Sequence, residues 1–353
     1  MLAAIFYGPM DIRMEERPIP QPRAGEVLLQ VAAATTCGTD VKTYRRGHPL
    51  LFRQTPAGFG HEAAGIVAAT GSGVTQCHAG DAVVVANSAP CEHCYYCEHG
   101  HYSLCEDLLF LNGAFAEYLL VPERIVRLNL YKLGPSGSTG NTSFVAAALT
   151  EPLACALHGI SACNIQSGDT VAILGAGPLG LLLAATAKLQ DARVIITGRG
   201  AKRLAVAQHF GADVVIDVSG MSDEEQRELV LNETDAHRGA DIVVEAVGTP
   251  ETWRLATSMA RPGGLVNLFG GCASGTQVTL ATQPLHYSEL TIKGVFHHTP
   301  HYFAQALDLI TSYQIDVQAL ITAQLPLSST TDALNLLLQK RGIKYALIPQ
   351  AFA

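Results

Sequence analysis

Four cysteines lie close together in the segment CEHCYYCEHGHYSLC. Cys91, Cys94, Cys97 and Cys105 are separated by two, two and seven residues. Short CxxC steps turn the backbone so that successive thiolates converge, and four thiolates match the closed tetrahedral shell of a structural zinc ion. A disulfide pair would suit a small secreted scaffold. The bacterial iron–sulfur run has a shorter last spacing that is followed by proline. The cluster therefore predicts a structural zinc site.

A second set of possible metal ligands is spread over the first half of the chain. It comprises Cys37 in TTCGTD, His61 and Glu62 in GFGHEAAG, and Glu151 in TEPLAC. One thiolate, one imidazole and a carboxylate would leave one coordination position open, as a catalytic zinc ion requires. Spacing alone does not bring these residues together, so the hypothesis depends on the fold.

A glycine-rich turn provides a candidate cofactor site. The segment GAGPLG contains Gly175, Gly177 and Gly180, with Pro178 and Leu179 between the last two, and it follows the apolar run TVAIL. A strand before the glycines and a helix after them is the context of a dinucleotide-binding turn. The glycines allow a tight turn, close approach of a pyrophosphate, and close packing of helix on strand. The alternative is a purely structural turn.

The end of the next predicted strand bears on the choice of dinucleotide. NAD-binding domains usually carry an acidic residue there, but this chain has Gly198, followed by Arg199 and then Arg203. A guanidinium can pair with a 2′-phosphate, so the pattern favours NADP. Alternatively Arg199 is solvated or stacks on adenine, and NAD is held by main chain. Val247 and Phe269, at the ends of later runs, are further candidate cofactor contacts.

The length and composition indicate a globular protein of two domains. The chain has 353 residues, of which 48% are hydrophobic and 15% charged, and a net charge of −8, which disfavours nucleic acid or an anionic membrane as the main partner. The apolar stretch from Val171 contains glycines and Pro178, so it reads as strand–turn–helix rather than a membrane span. Nine cysteines without a recognisable secretory signal suggest a reducing, cytoplasmic compartment.

The pattern of elements changes along the chain. The first 150 residues or so contain short alternating runs typical of antiparallel strands, and no long helical pattern is expected before the segment around Thr150. From Asp169, β-branched runs alternate with helical stretches, which predicts a doubly wound parallel sheet. After TIKGVF, two helices and a closing strand KYALIPQ are expected to pack back on the first part.

Six motifs in this order resemble the zinc-dependent medium-chain dehydrogenases/reductases, and most of all their sorbitol (polyol) dehydrogenase branch. They are CGTD, GHE, the four-cysteine segment, GAFAEY, EPLACALH and GAGPLG. The resemblance implies an α/β protein with a GroES-like catalytic domain over 1–153 and 297–353, including a zinc lobe near 88–107. It implies a Rossmann domain over 154–296 and an active site in the cleft between the two.

The resemblance also implies roles for individual residues. Cys37, His61 and either Glu62 or Glu151 would hold a catalytic zinc, the other carboxylate bonding the metal's water or exchanging with it. Thr39 would accept the proton of the substrate hydroxyl and pass it to solvent through the nicotinamide ribose; the alternative is a turn-capping hydroxyl. Lys42 stands where many relatives have the histidine that ends the proton relay, and its ordinary pKa makes it a poor shuttle at neutral pH.

The substrate segment departs from the family as well. Sorbitol dehydrogenases follow GVF with arginine and tyrosine, whereas this chain has His297 and His298. We therefore expect the substrate to be a polyol, cyclitol or sugar-derived alcohol other than sorbitol; alternatively, one of the two histidines faces the core. The resemblance also implies NAD or NADP as cofactor, two zinc ions per chain and a dimer or tetramer. A ketone reductase or amino-alcohol (threonine-type) dehydrogenase is the alternative activity, and a non-catalytic zinc-binding module is a more remote one.

Overall fold

The structure is a computed structural model that describes residues 1–48, 51–52, 54–134 and 142–353. The described chain divides into two compact units. One comprises Met1–Ala154 together with His298–Ala353, and the other comprises Cys155–His297. Among the described residues, no helix combines the length and the apolar character that crossing a bilayer requires.

The first part of the chain is built mainly of short strands. These are β1 (Leu2–Gly8), β2 (Asp11–Glu16), β3 (Val27–Thr35), β4 (Ala57–Gly58), β5 (Ala63–Thr70), β6 (Ala82–Val85), β7 (Ser88–Ala89), β8 (Leu109–Phe110), β9 (Tyr118–Val121) and β10 (Leu130–Lys132). Five helices accompany them: α1 (Gly38–Arg46), α2 (Tyr95–Glu98), α3 (Glu123–Asn129), α4 (Phe144–Ala148) and α5 (Thr150–Ser161).

Strands β3, β5 and β6 form the centre of the first unit. They pair antiparallel, and β9 and β10 extend the same sheet from β3 and β6. Alternate residues of β3 (Val27, Leu29 and Val31) are fully buried, and they belong to a core that also contains Phe59 and Phe115. The other residues of β3 are buried as well, except Gln30, and Ala33 belongs to a second core cluster, so both faces of the strand are covered. The sheet gives the loops at its ends a rigid support.

Helix α1 was not predicted, because no long helical pattern was expected before the segment around Thr150. It begins directly after Cys37, is nine residues long and has few apolar residues, so its sequence gives only a weak apolar signal. Its formation instead depends on a capping arrangement, in which the Asp40 carboxylate accepts from the amide of Cys37 at 2.7 Å. Such reciprocal caps satisfy amides at a helix start that have no partner within the helix. The helix places Cys37 at its N-cap.

The second unit contains a parallel sheet flanked by helices. Its strands are β11 (Thr170–Leu174), β12 (Arg193–Gly198), β13 (Val214–Asp217), β14 (Ala240–Glu245), β15 (Ala260–Leu268) and β16 (Thr291–Gly294); its helices are α6 (Pro178–Lys188), α7 (Ala201–Ala207), α8 (Asp223–Asn232), α9 (Pro250–Met259) and α10 (Thr282–Tyr287). The strand order β13-β12-β11-β14-β15-β16, all parallel, is that of a Rossmann domain. The predicted doubly wound sheet is confirmed.

The last segment returns to the first unit, as the closing helices and strand predicted. It contains α11 (Pro300–Thr311), β17 (Ile321–Pro326), α12 (Thr330–Leu338) and β18 (Lys344–Ile348). Strand β18 pairs antiparallel with the end of β3, with Ala346 opposite Thr35, and β17 pairs parallel with β18. The start of β18 is thereby brought beside the end of β3 and the start of β5.

Candidate active site and its metal ligands

The four cysteines of the lobe converge around one point. Their sulfur atoms all lie within 4.8 Å of one another, with Cys94 and Cys97 3.5 Å apart and Cys91 and Cys97 4.0 Å apart. A tetrahedral Zn–S₄ shell places its sulfurs about 3.8 Å apart. The backbone amide of Glu106 lowers the pKa of Cys94 to about 6, whereas burial raises the pKa of Cys97 to about 12. Four adjacent thiolates fit a divalent cation, which would stabilise all of them together.

A second group of ligand-type atoms lies where β3, β5 and α1 meet. The Cys37 sulfur, a His61 ring nitrogen and a Glu62 carboxylate oxygen lie within 4.8 Å of one another. Cys37 follows β3 as the N-cap of α1, and His61 and Glu62 directly precede β5. The sequence spacing alone did not bring these distant residues together. The pairing of β3 with β5 does, because it places the end of β3 beside the start of β5.

Asp40 links the helix start to the histidine. One of its carboxylate oxygens accepts from the Cys37 amide at 2.7 Å, and the other lies 3.1 Å from Nδ1 of His61. Burial alone would lower the pKa of His61, but the Asp40 carboxylate and the Cys37 sulfur outweigh burial and raise the pKa well above its ordinary value. Because Asp40 occupies Nδ1, Nε2 is left as the ligand atom, which is the usual orientation of a metal-binding histidine.

The tight turn before His61 depends on a glycine. Gly60 has φ +85°, and a Cβ there would lie 2.3 Å from the ring of Phe115. Phe115 is a fully buried member of the core, so that ring has no room to move aside. Any larger residue at position 60 would displace His61 and Glu62, which follow it directly.

Glu62 is held by a buried ion pair. Its two oxygens accept from Nζ of Lys344 at 2.8 and 2.7 Å, and Thr35 donates a further hydrogen bond to one of them. The side chains of both ion-pair partners are at most 1% exposed. Burial alone would lower the pKa of Lys344, but Glu62 and Cys37 outweigh it, so the pKa is raised and the ammonium stays charged. The pair supplies the opposite charge that a buried carboxylate requires.

Glu151 lies in the same unit and is also buried. It is the second residue of α5, and its Oε1 accepts from Nδ2 of Asn87 at 3.0 Å. Burial raises the pKa of Glu151 to about 7, with Glu62 raising it further and His61 and Lys344 opposing the rise. Its carboxyl group can therefore gain or lose a proton near neutral pH, which suits a group beside an exchangeable coordination position.

The glycine-rich turn has the geometry that a dinucleotide requires. Gly175 follows β11 with φ +112°, and α6 begins at Pro178. A Cβ on Gly180 would lie 1.7 Å from the carbonyl oxygen of Gly175, whereas a Cβ on Gly177 would meet nothing within 4 Å. The second glycine therefore faces open space at a helix N-terminus, where amide donors and the helix dipole favour a phosphate.

Comparison with known proteins identifies the family. The alcohol dehydrogenase GroES-like domain matches residues 23–129, and the zinc-binding dehydrogenase domain matches residues 178–312. D-xylulose reductase A of Aspergillus oryzae is 32% identical over 97% of this chain and 95% of its own length. Sorbitol dehydrogenase of Bacillus subtilis is 32% identical over 96% of this chain and 94% of its own length.

A solved structure agrees with these sequence relatives. A zinc-binding dehydrogenase from Sinorhizobium meliloti 1021, bound to NADP, superposes with a TM-score of 0.86 and 29% identity over 99% of both chains. The chain belongs to the zinc-dependent medium-chain alcohol and polyol dehydrogenases. It is an oxidoreductase that uses zinc and NAD(P), as the motifs predicted.

Of the other residues predicted to contact the cofactor, Val247 and Gly198 lie beside the glycine-rich turn. A Cβ on Gly175 would lie 2.8 Å from Cγ2 of Val247, so the Val247 side chain packs against this glycine. A Cβ on Gly159 would likewise lie 2.8 Å from the ring of Phe269. Gly198 ends β12 with a Cβ position only 2.5 Å from Ala176, so no side chain fits there. Hydrogen bonds from Ser219 lower the pKa of Asp217, and the exposed Arg199 lowers it further. Arg203 is half-buried.

The remaining predicted residues have different surroundings. Thr39 and Lys42 lie in the first half of α1 and are partly buried. His298 is buried, with Nε2 2.9 Å from Oδ1 of Asn87. His297 belongs to the other unit, has φ +60°, and its carbonyl lies 2.8 Å from Nδ1 of His158. The boundary between the two units therefore falls between the two adjacent histidines.

Sequence reasoning missed four polar residues that contact the candidate metal ligands. Asp40 had a signal, because an acidic residue three positions after a helix N-cap indicates a capping box. Thr35, Asn87 and Lys344 had none, since each lies outside the recognised motifs. Lys344 is 282 residues from Glu62 along the chain, and only the pairing of β18 with β3 brings the two together.

Proposed function

We propose that Cys37, His61 and Glu62 hold the catalytic zinc ion of this dehydrogenase and that Glu151 is the second carboxylate, facing the open position. The observation that carries the proposal is the Asp40 carboxylate, which fixes the start of α1 and Nδ1 of His61 at once. A thiolate, an imidazole and a carboxylate oxygen within 4.8 Å suit zinc, which accepts sulfur, nitrogen and oxygen ligands.

The chemistry divides between the bound groups and the chain. When bound, zinc supplies Lewis acidity toward an alcohol hydroxyl, and the nicotinamide supplies the hydride acceptor. Asp40 holds the proton on Nδ1 of His61 and so fixes the ring. Thr39 accepts the hydroxyl proton as it passes its own proton on toward solvent, and Lys42 of the same helix bonds the nicotinamide ribose or a phosphate. Oxidation of a secondary alcohol then yields a ketone, a reduced dinucleotide and one proton.

The substrate class is a polyol, cyclitol or other sugar alcohol. D-xylulose reductase A and sorbitol dehydrogenase, named for a ketose and a polyol, are 32% identical to this chain. His297 stands where sorbitol dehydrogenases have an arginine, and its imidazole hydrogen-bonds hydroxyl groups without demanding an anion, whereas His298 is buried beside Asn87. We expect activity on a sugar alcohol other than sorbitol, found by screening polyols and cyclitols with NAD and NADP in parallel.

The first test removes the thiolate of the proposed zinc site. Cys37→Ser should abolish alcohol oxidation, because an alcohol is a poor zinc ligand, while leaving the fold and dinucleotide binding intact. Elemental analysis should find two zinc ions per chain in the wild type and one in the variant. Unchanged activity, or two zinc ions in the variant, would remove Cys37 from the metal site.

The preferred dinucleotide is NADP. Gly198 leaves no acid to repel a 2′-phosphate, and the exposed Arg199 can pair with one. Arg199→Asp should shift the ratio of kcat/KM values toward NAD by roughly tenfold or more, since a charge-assisted hydrogen bond contributes about 1.5–3 kcal/mol. Arg203→Gln, which changes the next arginine along the chain in α7, is measured as the comparison variant. A ratio unchanged by Arg199→Asp would mean that the phosphate is not recognised by this residue.

Two further properties complete the proposal. The enzyme acts in the cytoplasm, a proposal supported by its nine cysteines, none of which forms a disulfide, as expected in a reducing compartment. It assembles as a homodimer or homotetramer. Light scattering of the purified protein tests the assembly directly, and a monomeric mass at micromolar concentration would contradict it.

A further inference from the structure

A buried amide lies between Glu151 and His298. Asn87 follows β6 and is 7% exposed. Its Nδ2 donates to Oε1 of Glu151 at 3.0 Å, and its Oδ1 lies 2.9 Å from Nε2 of His298. All three side chains are in the first unit, and no motif of the sequence analysis includes Asn87. The amide therefore contacts a carboxylate of the active centre without belonging to the ligand set.

The hydrogen-bonding direction is determined along this chain of groups. An amide has donors only at its nitrogen and acceptors only at its oxygen. Because Nδ2 of Asn87 is directed at the Glu151 carboxylate, Oδ1 must accept from His298. The proton of the imidazole is thereby assigned to Nε2. Each group fixes the orientation of the next, so the three side chains behave as one rigid unit.

The backbone around Asn87 is fixed on both sides. The amide of Ala86 donates to the carbonyl of Asn129 at 3.0 Å, and the amide of Leu111 donates to the carbonyl of Asn87 at 2.7 Å. The His298 ring packs against Phe303, with centroids 5.5 Å apart. Neither end of the chain of groups can shift without breaking these contacts, so the amide has a defined position.

We propose that Asn87, supported by His298, is a positioning residue for Glu151. The inference rests on the proposed metal site. Glu62 has both oxygens occupied by Lys344, so the two carboxylates are held by different partners. Asn87 binds Oε1 of Glu151 and directs the carboxyl group toward the open position. Such supporting hydrogen bonds typically contribute roughly 10–100-fold in metal affinity or activity.

The test compares variants of Asn87 and His298 by the properties of the cobalt-substituted enzyme. Asn87→Leu removes both ends of the amide at similar volume, and Asn87→Ala serves if leucine does not fit. His298→Phe removes only the support, and His298→Gln keeps an N–H donor. The cobalt spectrum of Cys37→Ser, which retains only the four-cysteine site, is subtracted from each. Asn87→Leu should change the remaining visible bands, and chelators should remove that cobalt roughly 10–100-fold faster.

Kinetics and a control separate positioning from general stability. We expect kcat to fall for Asn87→Leu and His298→Phe, His298→Gln to recover most of it, and dinucleotide affinity to stay unchanged. Asn129 is the control, since it is fully buried and its Nδ2 donates to the Ser88 carbonyl at 2.7 Å. Asn129→Leu should lower stability without altering the cobalt bands. Equal spectral changes in both leucine variants would overturn the inference.

The outcome also distinguishes this inference from the proposed function. A wild-type enzyme without Cys37-dependent cobalt bands would refute the metal site, and the inference with it. Normal wild-type bands, together with unchanged bands and chelation rates in Asn87→Leu, would refute the inference alone.

Discussion

At the scale of single residues, the active centre depends on charges that are neutralised in pairs. Asp40 is paired with His61, and Lys344 with Glu62, and all four side chains are at most 8% exposed. A buried ion pair stabilises little in total, but either partner alone is strongly unfavourable. Removing both partners of an ion pair should therefore destabilise the protein less than removing one partner.

This asymmetry gives a prediction for Lys344. Lys344→Met should lower the free energy of unfolding by roughly 3–5 kcal/mol, because the Glu62 carboxylate is left buried and unpaired. The double variant Lys344→Met with Glu62→Gln should recover a large part of that loss. Denaturant unfolding monitored by fluorescence measures both. Equal destabilisation of the single and double variants would show that the ion pair is not the cause.

At the scale of secondary-structure elements, the strand–turn–helix of the dinucleotide site separates two uses of glycine. Gly180 is required for packing, since its Cβ would overlap the Gly175 carbonyl, whereas Gly177 is surrounded by open space. The two positions are three residues apart and have the same residue type, which makes them a matched pair. One supports the fold and the other leaves room for a ligand.

We expect opposite results from alanine at these two positions. Gly180→Ala should lower both thermal stability and dinucleotide affinity, because the turn and α6 must move apart. Gly177→Ala should leave the melting temperature near that of the wild type and weaken dinucleotide binding alone, because a methyl group occupies the approach of the pyrophosphate. Differential scanning fluorimetry and nicotinamide fluorescence titration measure the two effects. A stable Gly180→Ala variant with normal affinity would contradict this explanation.

The sequence predicted these elements unevenly, for identifiable reasons. The parallel strands were recognisable because buried β-branched runs such as TVAIL are bounded by glycines. Helix α1 was missed because its sequence GTDVKTYRR is mostly polar and its stability comes from the Asp40 cap. The convergence of Cys37 and His61 required the register of β3 and β5, which local periodicity does not contain. Asn87 and Lys344 had no motif to mark them.

At the scale of the whole molecule, stability should depend on pH through carboxylates whose hydrogen bonds exist only in the folded state. Asp241 in β14 is one of them. Its oxygens accept from the amide of Thr170 at 2.8 Å and from Nε of Arg261 at 2.6 Å. Burial alone would raise the pKa of Asp241, but these two donors outweigh it and lower the pKa below its ordinary value.

The sign of the effect follows from this lowered pKa. The Asp241 carboxylate stabilises the fold fully above its unfolded pKa of about 3.9, and this contribution disappears as the pH falls through the lower folded pKa. Wild type should therefore exceed Asp241→Asn in unfolding free energy at neutral pH, and the difference should shrink below about pH 4. Denaturant titrations at several pH values measure it. A difference that stays constant down to the acid transition would contradict the assignment.

The pairing of β18 with β3 has a consequence for biosynthesis. The ammonium that neutralises Glu62 emerges from the ribosome 282 residues after the carboxylate does. Until that strand docks, a nascent chain with its early β-sheet already formed would hold an uncompensated anion beside Cys37 and His61. Metal loading at the proposed zinc site would therefore follow synthesis of the whole nucleotide-binding unit, which precedes Lys344 in the chain.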